Sequence, residues 1–419
     1  IGEIAAADWN ACAGNENPFV SHAFLSAMEE SGSASAESGW MPQHLLVEDG
    51  GGGLLGVVPC YLKSHSYGEY VFDWGWADAF ERAGGKYYPK LQVAAPFSPV
   101  TGPRLLVKPG AEAERTRKIL IAGLLELADQ RKVSSLHITF CTEQERDLLA
   151  EEGFVQRLGK QFHWHNQGYE TFDDFLSMLT SRKRKSIRKE RQLANRDVDI
   201  QVLSGDDVKE EHMDAFYRFY LNTVDSKWAN AYLNRTFFSL LREKLSLNLV
   251  MVMARHDGVW VGGALNLRGK NTLFGRNWGC ADRFRMLYFE ACFYRAIDYA
   301  IEHGLSKVEA GAQGPHKISR GYLPSETYSA HWIRSAKPAR RNGKWKCWRT
   351  RSRPIAKASS QPPSKGAEKK NPRQTKRGFS VSRGFRRSFA DHSTSAGAFF
   401  PSPESSSLLP PLPPLPPFP

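Results

Sequence analysis

The sequence has no long hydrophobic run, no paired-cysteine spacing and none of several well-known catalytic motifs. No stretch of its 419 residues approaches the roughly 20 uninterrupted apolar residues that a membrane-spanning helix needs, so we do not expect an integral membrane protein. The six cysteines are scattered without a C-x-x-C spacing, which argues against a disulfide framework and a zinc site. The motifs G-x-S-x-G and H-E-x-x-H, the P-loop and a strand-to-helix G-x-G-x-x-G are absent, which excludes the enzyme classes that depend on them.

Positive charge is concentrated at the C-terminal end. The formal net charge is +13, but residues 334–419 hold 19 Lys and Arg against three acidic residues, so residues 1–333 are slightly acidic. The same end holds 14 of the 24 prolines. Such a composition buries too little apolar surface to offset the entropy of ordering, so residues 336–419 are predicted to be disordered. The abrupt change is more typical of a mis-spliced or frame-shifted end than of an evolved module.

Strand and helix patterns alternate along residues 1–335, which predicts an α/β fold with mixed sheets. Helices are expected at residues 23–30, 112–132, 171–194, 211–223, 236–244 and 283–303. Strands are expected at residues 54–62, 69–76, 136–140, 162–166, 198–203, 249–255, 259–267, 272–278, 307–310 and 327–333.

The two halves of this region resemble each other. In each, an apolar strand (around Gly56 and Gly262) leads to a segment that ends in aromatic, glycine and acidic residues, at residues 72–78 and 274–282. We therefore predict an internal duplication, with one domain at residues 1–160 and a second, which carries the site, at residues 161–335.

Glu290 is the sharpest anomaly on the predicted long helix. The apolar residues of this helix fall within one arc at 100° per residue, and Glu290 lies inside that arc. A buried carboxylate needs a partner or a proton. Glu290 is therefore either a structural ion-pair partner of Arg276 or another strand arginine, or a site residue at the cleft end of the helix.

Polar side chains also crowd the residues that follow the predicted strand 307–310. The set comprises Glu309, Gln313, His316, Lys317 and Arg320. They lie among glycines that permit close backbone approach, at a strand end of the kind where α/β sheets bind ligands. The segment is either a solvated loop or a site whose basic residues face an anionic ligand. We expect all of these residues except Lys317 to meet Glu290 in one water-accessible hollow.

A basic helical run occupies residues 181–191. It is either a solvated face or a binding site for phosphate, as nucleotide, nucleotide-sugar or RNA, through Lys183, Arg184 and Arg188. His163 and His165 would share one face of a strand, but without a convincing third ligand no metal site is expected.

Short motifs follow one another in order between residues 162 and 333. They include His163-Trp164-His165-Asn166, Arg182-Lys183-Arg184-Lys185, Lys227-Trp228, Gly262-Gly263-Ala264, Gly275-Arg276 with Trp278-Gly279-Cys280, Phe289-Glu290, Glu309 with Gly311-Ala312-Gln313-Gly314, His316-Lys317, Arg320-Gly321-Tyr322, and Tyr328-Ser329 with His331-Trp332. In this order they resemble the FemAB-like, peptidoglycan-related branch of the GNAT superfamily of acyltransferases. Residues 1–160 fit the family's first GNAT-like half. Pro315 stands where the family pattern has an acid, and no Gly-rich pyrophosphate loop precedes the long helix.

This resemblance implies two tandem GNAT-like domains that transfer an acyl or aminoacyl group to an amine. Its Fem transferases take the amino acid from aminoacyl-tRNA and extend peptidoglycan precursors, so the expected donor is aminoacyl-tRNA or acyl-CoA, without a tightly bound cofactor. Glu309, His316 or Glu290 would act as the base, and N–H groups near residues 275–277 would hold the oxyanion. The motif positions assign substrate binding to Lys183, Arg184, Arg188, Trp228, Arg276, Trp278, Gln313, Lys317, Arg320, Tyr328 and His331.

The leading hypothesis is thus a soluble acyltransferase acting on an amine acceptor, peptidoglycan-precursor-like or otherwise phosphate-bearing. It would work in the cytoplasm, or inside an organelle if an upstream targeting peptide is missing. One alternative is a non-catalytic module that recognises a glycan or peptide in the same cleft. The other is a nucleic-acid-binding protein that uses the basic helix at residues 181–191 and the C-terminal tail.

Overall fold

Most of the predicted elements are present in a computed structural model, which describes residues 1–226, 230–311 and 314–334. The tail predicted at residues 336–419 lies outside the described residues. Among the residues that are described, no helix has the length and apolar character needed to cross a membrane.

The helices have the following bounds: α1 Ala6–Ala13, α2 His22–Glu30, α3 Trp74–Arg82, α4 Ala113–Gln130, α5 Glu143–Glu151, α6 Phe172–Ser177, α7 Ser181–Ala194, α8 Glu210–Asp225, α9 Arg235–Leu245, α10 Leu287–Phe289 and α11 Arg295–Glu302. A π-helical turn, Glu290–Tyr294, joins α10 directly to α11, and the three together are called the composite helix below. Short 3-10 turns occur at Pro18–Val20, Gly205–Asp207, Ser246–Asn248 and Pro315–Arg320.

The strands have the following bounds: β1 Trp40–Pro42, β2 Leu45–Glu48, β3 Leu54–Val58, β4 Cys60–Lys63, β5 Lys90–Val93, β6 Leu106–Val107, β7 Ser135–Cys141, β8 Val155–His165, β9 Asp199–Ser204, β10 Leu249–His256, β11 Val259–Arg268, β12 Thr272–Cys280, β13 Lys307–Glu309 and β14 Leu323–Ile333. Eleven of them form one mixed sheet in the order β1-β4-β5-β7-β14-β8-β13-β12-β11-β10-β9. Strands β2, β3 and β6 form a small second sheet.

The large sheet runs through both predicted domains without a break. Strand β8 crosses the predicted boundary between residues 160 and 161, and it pairs with β14 on one side and β13 on the other. The sheet is therefore shared by the two halves, and the domain boundary itself stays a prediction.

One structural motif occurs in both halves. Parallel strands β5 and β7 are joined through α4, and parallel strands β12 and β13 are joined through the composite helix. The internal duplication stays a prediction, and the predicted strand at residues 69–76 is wrong. Glu69 and Asp73 instead form buried ion pairs with Lys90, and helix α3 begins at Trp74.

The predicted helix at residues 171–194 is interrupted after Ser177. Arg184 donates hydrogen bonds to the carbonyls of Ser177 (3.3 Å) and Leu179 (2.7 Å). The guanidinium thus satisfies carbonyl groups that are left without a partner where α6 ends, and a new helix starts at Ser181. The predicted long helix likewise starts late, because Met286 adopts a left-handed conformation with φ of 61°.

The second half of the sheet is covered on both faces. On one face, Trp164 and Val308 pack with Ile187 of α7 and with Phe293 and Ile297 of the composite helix. On the other face, an apolar cluster unites Met251 and Phe274 with helices α8 and α9 and with α1 and α2 of the first half. Side chains alternate along a strand, so Glu309 points to the face opposite that of its neighbour Val308.

Candidate functional site

The candidate site lies where strand β12 separates from strand β13. Strand β12 has nine residues, but its parallel ladder with β13 covers three residues and ends at Phe274 opposite Glu309. Beyond that pair, no described residue continues the ladder along this edge of β12. The backbone groups after Phe274 therefore face an opening between the two strands.

A bulge lies at the start of this opening. Asn266 pairs with Gly275 and Leu265 pairs with Asn277, so Arg276 is an extra residue on β12. The Arg276 guanidinium donates to the Phe97 carbonyl of the first half and lies 5.6 Å from the Phe19 ring. Burial lowers its pKa. Arg276 thus joins the two halves, and the prediction that it pairs with Glu290 is wrong.

Glu290 is completely buried and paired with two arginines. Its Oε1 accepts a hydrogen bond from Arg191 of α7 at 3.0 Å and lies 3.0 Å from Nε of Arg295. Arg191 also binds Asp298. Glu290 Oε2 has no hydrogen-bond partner among the described residues. A structural ion pair was one of the two predicted roles, but the partner arginines are on helices rather than on strands.

His316 lies over the composite helix, next to the opening. Its ring centroid is 5.7 Å from that of Phe289 and 5.9 Å from that of Phe293. Burial, with the charges of Arg320 and Lys317, lowers the His316 pKa to about 4. Its Nε2 has no hydrogen-bond partner within the part of the chain that is described. At neutral pH this imidazole is therefore uncharged.

Gly314 is needed to place the His316 ring. It has φ of 108°, which non-glycine residues rarely adopt, and a Cβ added to it would lie 2.3 Å from Cε1 of His316. Any other residue at position 314 would therefore strain the backbone and displace the imidazole.

Lys317 and Arg320 hold the 3-10 turn Pro315–Arg320 in place. Lys317 Nζ donates to the carbonyls of Ala310 and Gly311, directly after β13, and burial lowers its pKa to about 8. Arg320 forms an ion pair with Glu190 of α7 at 2.8 Å. The turn that carries His316 is thus fixed to the end of β13 and to α7.

Glu309 does not share a hollow with His316. Its carboxylate accepts a hydrogen bond from the Thr101 hydroxyl at 2.6 Å and from Lys307 Nζ at 2.7 Å, on the face opposite the composite helix. Burial alone would raise the Glu309 pKa, but Lys307, His163 and the Thr101 hydrogen bond together lower it. The predicted meeting of Glu309 with Glu290 and His316 is therefore wrong, because the side chain of Glu309 projects from the opposite face of the sheet.

Tyr328 and His331 are also remote from the opening. Strand β14 carries them away from the 3-10 turn, and at ~3.3 Å per residue His331 lies about 25 Å along the strand from Leu323. Nδ1 of His331 lies 2.7 Å from Nδ1 of His137, and Tyr328 packs beneath Arg146. Trp278 lies beside the opening, with its ring centroid 5.7 Å from that of Tyr288. Trp228 and Gln313 lie outside the described residues.

The basic helix α7 borders a groove of about 370 Å³. The groove is lined by Thr171, Phe172, Asp173, Leu176, Arg188 and Arg191. Arg188 forms an exposed ion pair with Asp173 at 2.8 Å, whereas Arg184 is engaged in capping α6. Of the predicted phosphate ligands, Arg188 thus lines the groove, Arg184 has a structural role, and Lys183 is half-buried on α7 outside the groove lining.

In the first half, Arg104 lies beyond the end of the corresponding parallel ladder. The parallel ladder of β5 and β7 ends at Val93 opposite Ile138, and beyond it the Gly102 amide donates to the Phe140 carbonyl. The fully buried Arg104 donates to the carbonyls of Thr139 and Val100. No sequence pattern predicts these contacts, because an arginine that binds only backbone carbonyls has no characteristic motif.

The mixed sheet and its splayed parallel strand pair give the chain a GNAT-like fold. The chain belongs to the FemAB-like family, described as peptidoglycan biosynthesis/recognition, whose model matches residues 1–345. The predicted family and fold class are thus confirmed.

Solved structures are similar to this chain at low sequence identity. The FemX crystal structure is 12% identical, with a TM-score of 0.53 over 79% of this chain and 96% of that chain. The C-terminal domain of a putative lysylphosphatidylglycerol synthetase from Agrobacterium fabrum is 11% identical, with a TM-score of 0.48 over 73% of this chain and 92% of that chain. A Bacteroides thetaiotaomicron protein of unknown function is 13% identical, with a TM-score of 0.47 over 79% and 98%. The comparison with curated proteins gave no match.

Proposed function

We propose that this protein transfers an aminoacyl or acyl group to an amine, and that the reaction takes place in the opening between β12 and β13. The observation that carries the proposal is the uncharged His316, whose Nε2 lacks a described partner, beside a strand edge that has no ladder partner among the described residues. Membership of the FemAB-like family supports an acyl or aminoacyl transferase in general.

In the proposed reaction the acceptor amine attacks the carbonyl carbon of the donor ester or thioester. The nitrogen–carbon bond forms, the nitrogen loses a proton to His316 Nε2, and the donor's oxygen or sulfur leaves with a proton. His316 is proposed for this task because its ring is unprotonated before the attack and its Nε2 has no hydrogen-bond partner among the described residues. Glu309 is less suited, because its carboxylate is already engaged with Thr101 and Lys307.

Charge that develops on the carbonyl oxygen needs fixed hydrogen-bond donors. The N–H groups at residues 275–277 are the proposed donors, because they lie at the bulge where β12 leaves the ladder with β13. The tight turn around Gly314 and the Lys317 contacts fix the imidazole relative to the end of β13. Trp278 would form one wall of the site.

Aminoacyl-tRNA is the proposed donor and a phosphate-bearing amine the proposed acceptor. Residues 281–286, before the composite helix, contain no glycine, whereas a pyrophosphate of coenzyme A would need close backbone approach at this helix start. Arg188, which lines the groove beside α7, is the first proposed phosphate ligand, and Lys183 of the same helix is the second. Charged side chains on a helix surface suit a large anionic partner better than a small enclosed one.

The test is product formation with matched donors. Purified protein is incubated with a peptidoglycan precursor that carries a free side-chain amine, and with either bulk aminoacyl-tRNA or acetyl-CoA, and the precursor is analysed by mass spectrometry. The proposal predicts a mass increase of one aminoacyl residue with tRNA. An acetyl adduct would overturn the donor assignment, and an unmodified precursor in both arms would contradict amine acylation.

A further inference from the structure

A belt of buried polar side chains crosses the first half of the large sheet, on the face opposite α4. Its members are Lys63 of β4, Lys90 and Gln92 of β5, Ser135, His137 and Thr139 of β7, and Ser329 and His331 of β14. Each is at most 4% exposed. Sheet faces are normally covered by apolar contacts, and the alternate residues of the same strands, such as Leu91 and Ile138, do form an apolar cluster with α4. The belt is therefore a specific feature of one face.

Residues 64–89, called the cover segment below, lie over the belt. Helix α3 within this segment buries one of its nine residues, Ala77. Trp74 and Tyr67 are 38% and 47% exposed, so the segment is a single layer between the belt and solvent. Buried Tyr87 and the packing of Trp76 on His137 and His331 hold this layer down, so local opening breaks these contacts but leaves the rest of the fold intact.

The charges are divided between the two layers. The cations Lys63 and Lys90 are rooted in adjacent strands, whereas the carboxylates Glu69 and Asp73 belong to the cover segment. Glu69 Oε2 accepts from Lys90 Nζ at 2.7 Å, and its Oε1 lies 3.9 Å from Lys63 Nζ. One carboxylate thus spans both ammonium groups.

Two histidines extend the belt beyond the lysines. Ser135 and Tyr87 contact Nε2 of His137 at 2.8 and 3.2 Å, and Nδ1 of His137 lies 2.7 Å from Nδ1 of His331. His331 Nε2 and Asp73 Oδ1 are buried without a hydrogen-bond partner among the described residues. Buried polar atoms without partners are rare in folded proteins and call for an explanation.

Stability does not explain this arrangement. Removing two ammonium and two carboxylate groups from water is costly, and apolar replacements of such pairs are often neutral or stabilising. Burial lowers the Lys63 pKa to about 6 and raises that of Glu69 to about 7, so burial disfavours the charged form of both side chains. Perturbed groups of this kind cluster at functional sites.

We infer that the belt is a second ligand site, which takes a small molecule that carries an oxyanion. In this structure the cover segment closes the site, and the Glu69 carboxylate occupies the position of that oxyanion. Opening of the cover segment relieves the burial that lowers the Lys63 pKa, so Lys63 and Lys90 then present two ammonium groups at the spacing that one carboxylate now spans. A phosphate or a carboxylate has this size and charge. His137, His331 and the belt hydroxyls would then orient the rest of the ligand.

Equilibrium dialysis of the full chain with inorganic phosphate tests this inference. The double variant Glu69→Gln and Asp73→Asn removes the competing carboxylates and leaves the sheet cations, so it should bind phosphate at least tenfold more tightly than wild type. Lys90→Met, made in that background, should abolish the gain. Acetate should displace phosphate if the natural ligand is a carboxylate, and should fail to do so if it is a phosphate ester.

Arg188→Gln, in the basic groove of α7, is the matched control for phosphate bound elsewhere. If the double variant binds no more tightly than wild type, or if Lys90→Met retains the gain, the belt is structural and the inference is overturned. If Lys90→Met fails to fold, hydrogen exchange of the wild-type protein tests the inference instead. Phosphate must then change the exchange of residues 64–89 relative to chloride at equal ionic strength, and an unchanged rate overturns the inference.

Discussion

The hydroxyl of Thr101 donates a 2.6 Å hydrogen bond to the carboxylate of Glu309, 208 residues further along the chain. Two other side chains of the second half bind the same loop of the first half: Arg276 donates to the Phe97 carbonyl, and Gln161 donates to the Pro99 carbonyl. The loop at residues 97–101 is therefore attached to the second half beside the opening between β12 and β13. We interpret Glu309 as a residue that positions this loop.

Replacing Thr101 by Val should loosen this attachment. Valine keeps the shape of threonine but removes the hydroxyl, so the buried carboxylate of Glu309 loses a charged hydrogen bond, at a cost of roughly 1–3 kcal/mol. Urea unfolding of the variant and of wild type measures the loss. A free energy of unfolding equal to that of wild type would show that the contact does not join the halves.

Glu309→Gln separates a positioning role from a catalytic one. Glutamine still accepts from Thr101 but loses the attraction of Lys307, so we expect a folded protein whose transfer rate stays within about tenfold of wild type. Steady-state transfer and a melting curve on the same sample provide the check. If transfer disappears while the melting temperature is unchanged, Glu309 is the base and His316 is not.

Gly314→Ala should disable the site locally. The new Cβ would overlap the His316 ring, and the φ of 108° is unfavourable for alanine, so we expect transfer to fall by more than tenfold. Gly168→Ala is the control, because Gly168 has a similar φ of 90° but nothing within 4 Å of the added Cβ. Equal losses of transfer in the two variants would mean that backbone strain, not the position of His316, is responsible.

The pH dependence of stability should report the buried His163. Burial lowers its pKa to about 4 from an ordinary 6.5. Between pH 6.5 and pH 4, His163 is therefore protonated in the unfolded chain but stays neutral in the folded protein. The stability contributed by neutral His163 is complete above pH 6.5 and is lost as the pH falls toward 4. Urea unfolding at pH 7 and pH 5 should therefore show a smaller loss in His163→Gln than in wild type. Equal losses would contradict the assigned shift.

Hydrophobic periodicity predicted most of the second half, including the buried strand β10 and its antiparallel partner β11. It also identified Glu290 as a buried carboxylate. It could not identify Arg191 as the partner, because that residue lies 99 positions earlier and the contact exists only after α7 has packed against the composite helix.

Two errors have a common physical cause. In β13, Val308 and Glu309 point to opposite faces, and nothing in a three-residue strand shows which face meets the helix that carries the site. In the first half, residues 69–76 have a strand-like pattern, but Glu69 and Asp73 bind Lys90 across the sheet and determine the path of the chain. In both cases the local sequence pattern does not determine the structure: long-range polar contacts accompany the direction of the Glu309 side chain and the path of residues 69–76.

The most direct test of the account is single-turnover transfer of an aminoacyl group to a precursor amine by wild type and His316→Gln. His303→Gln is the control, since His303 stacks on Tyr299 at the far end of the composite helix. We predict that His316→Gln slows transfer by about 10²-fold or more with an unchanged melting temperature, and that His303→Gln transfers at the wild-type rate. A His316→Gln variant that transfers as fast as wild type would contradict the account.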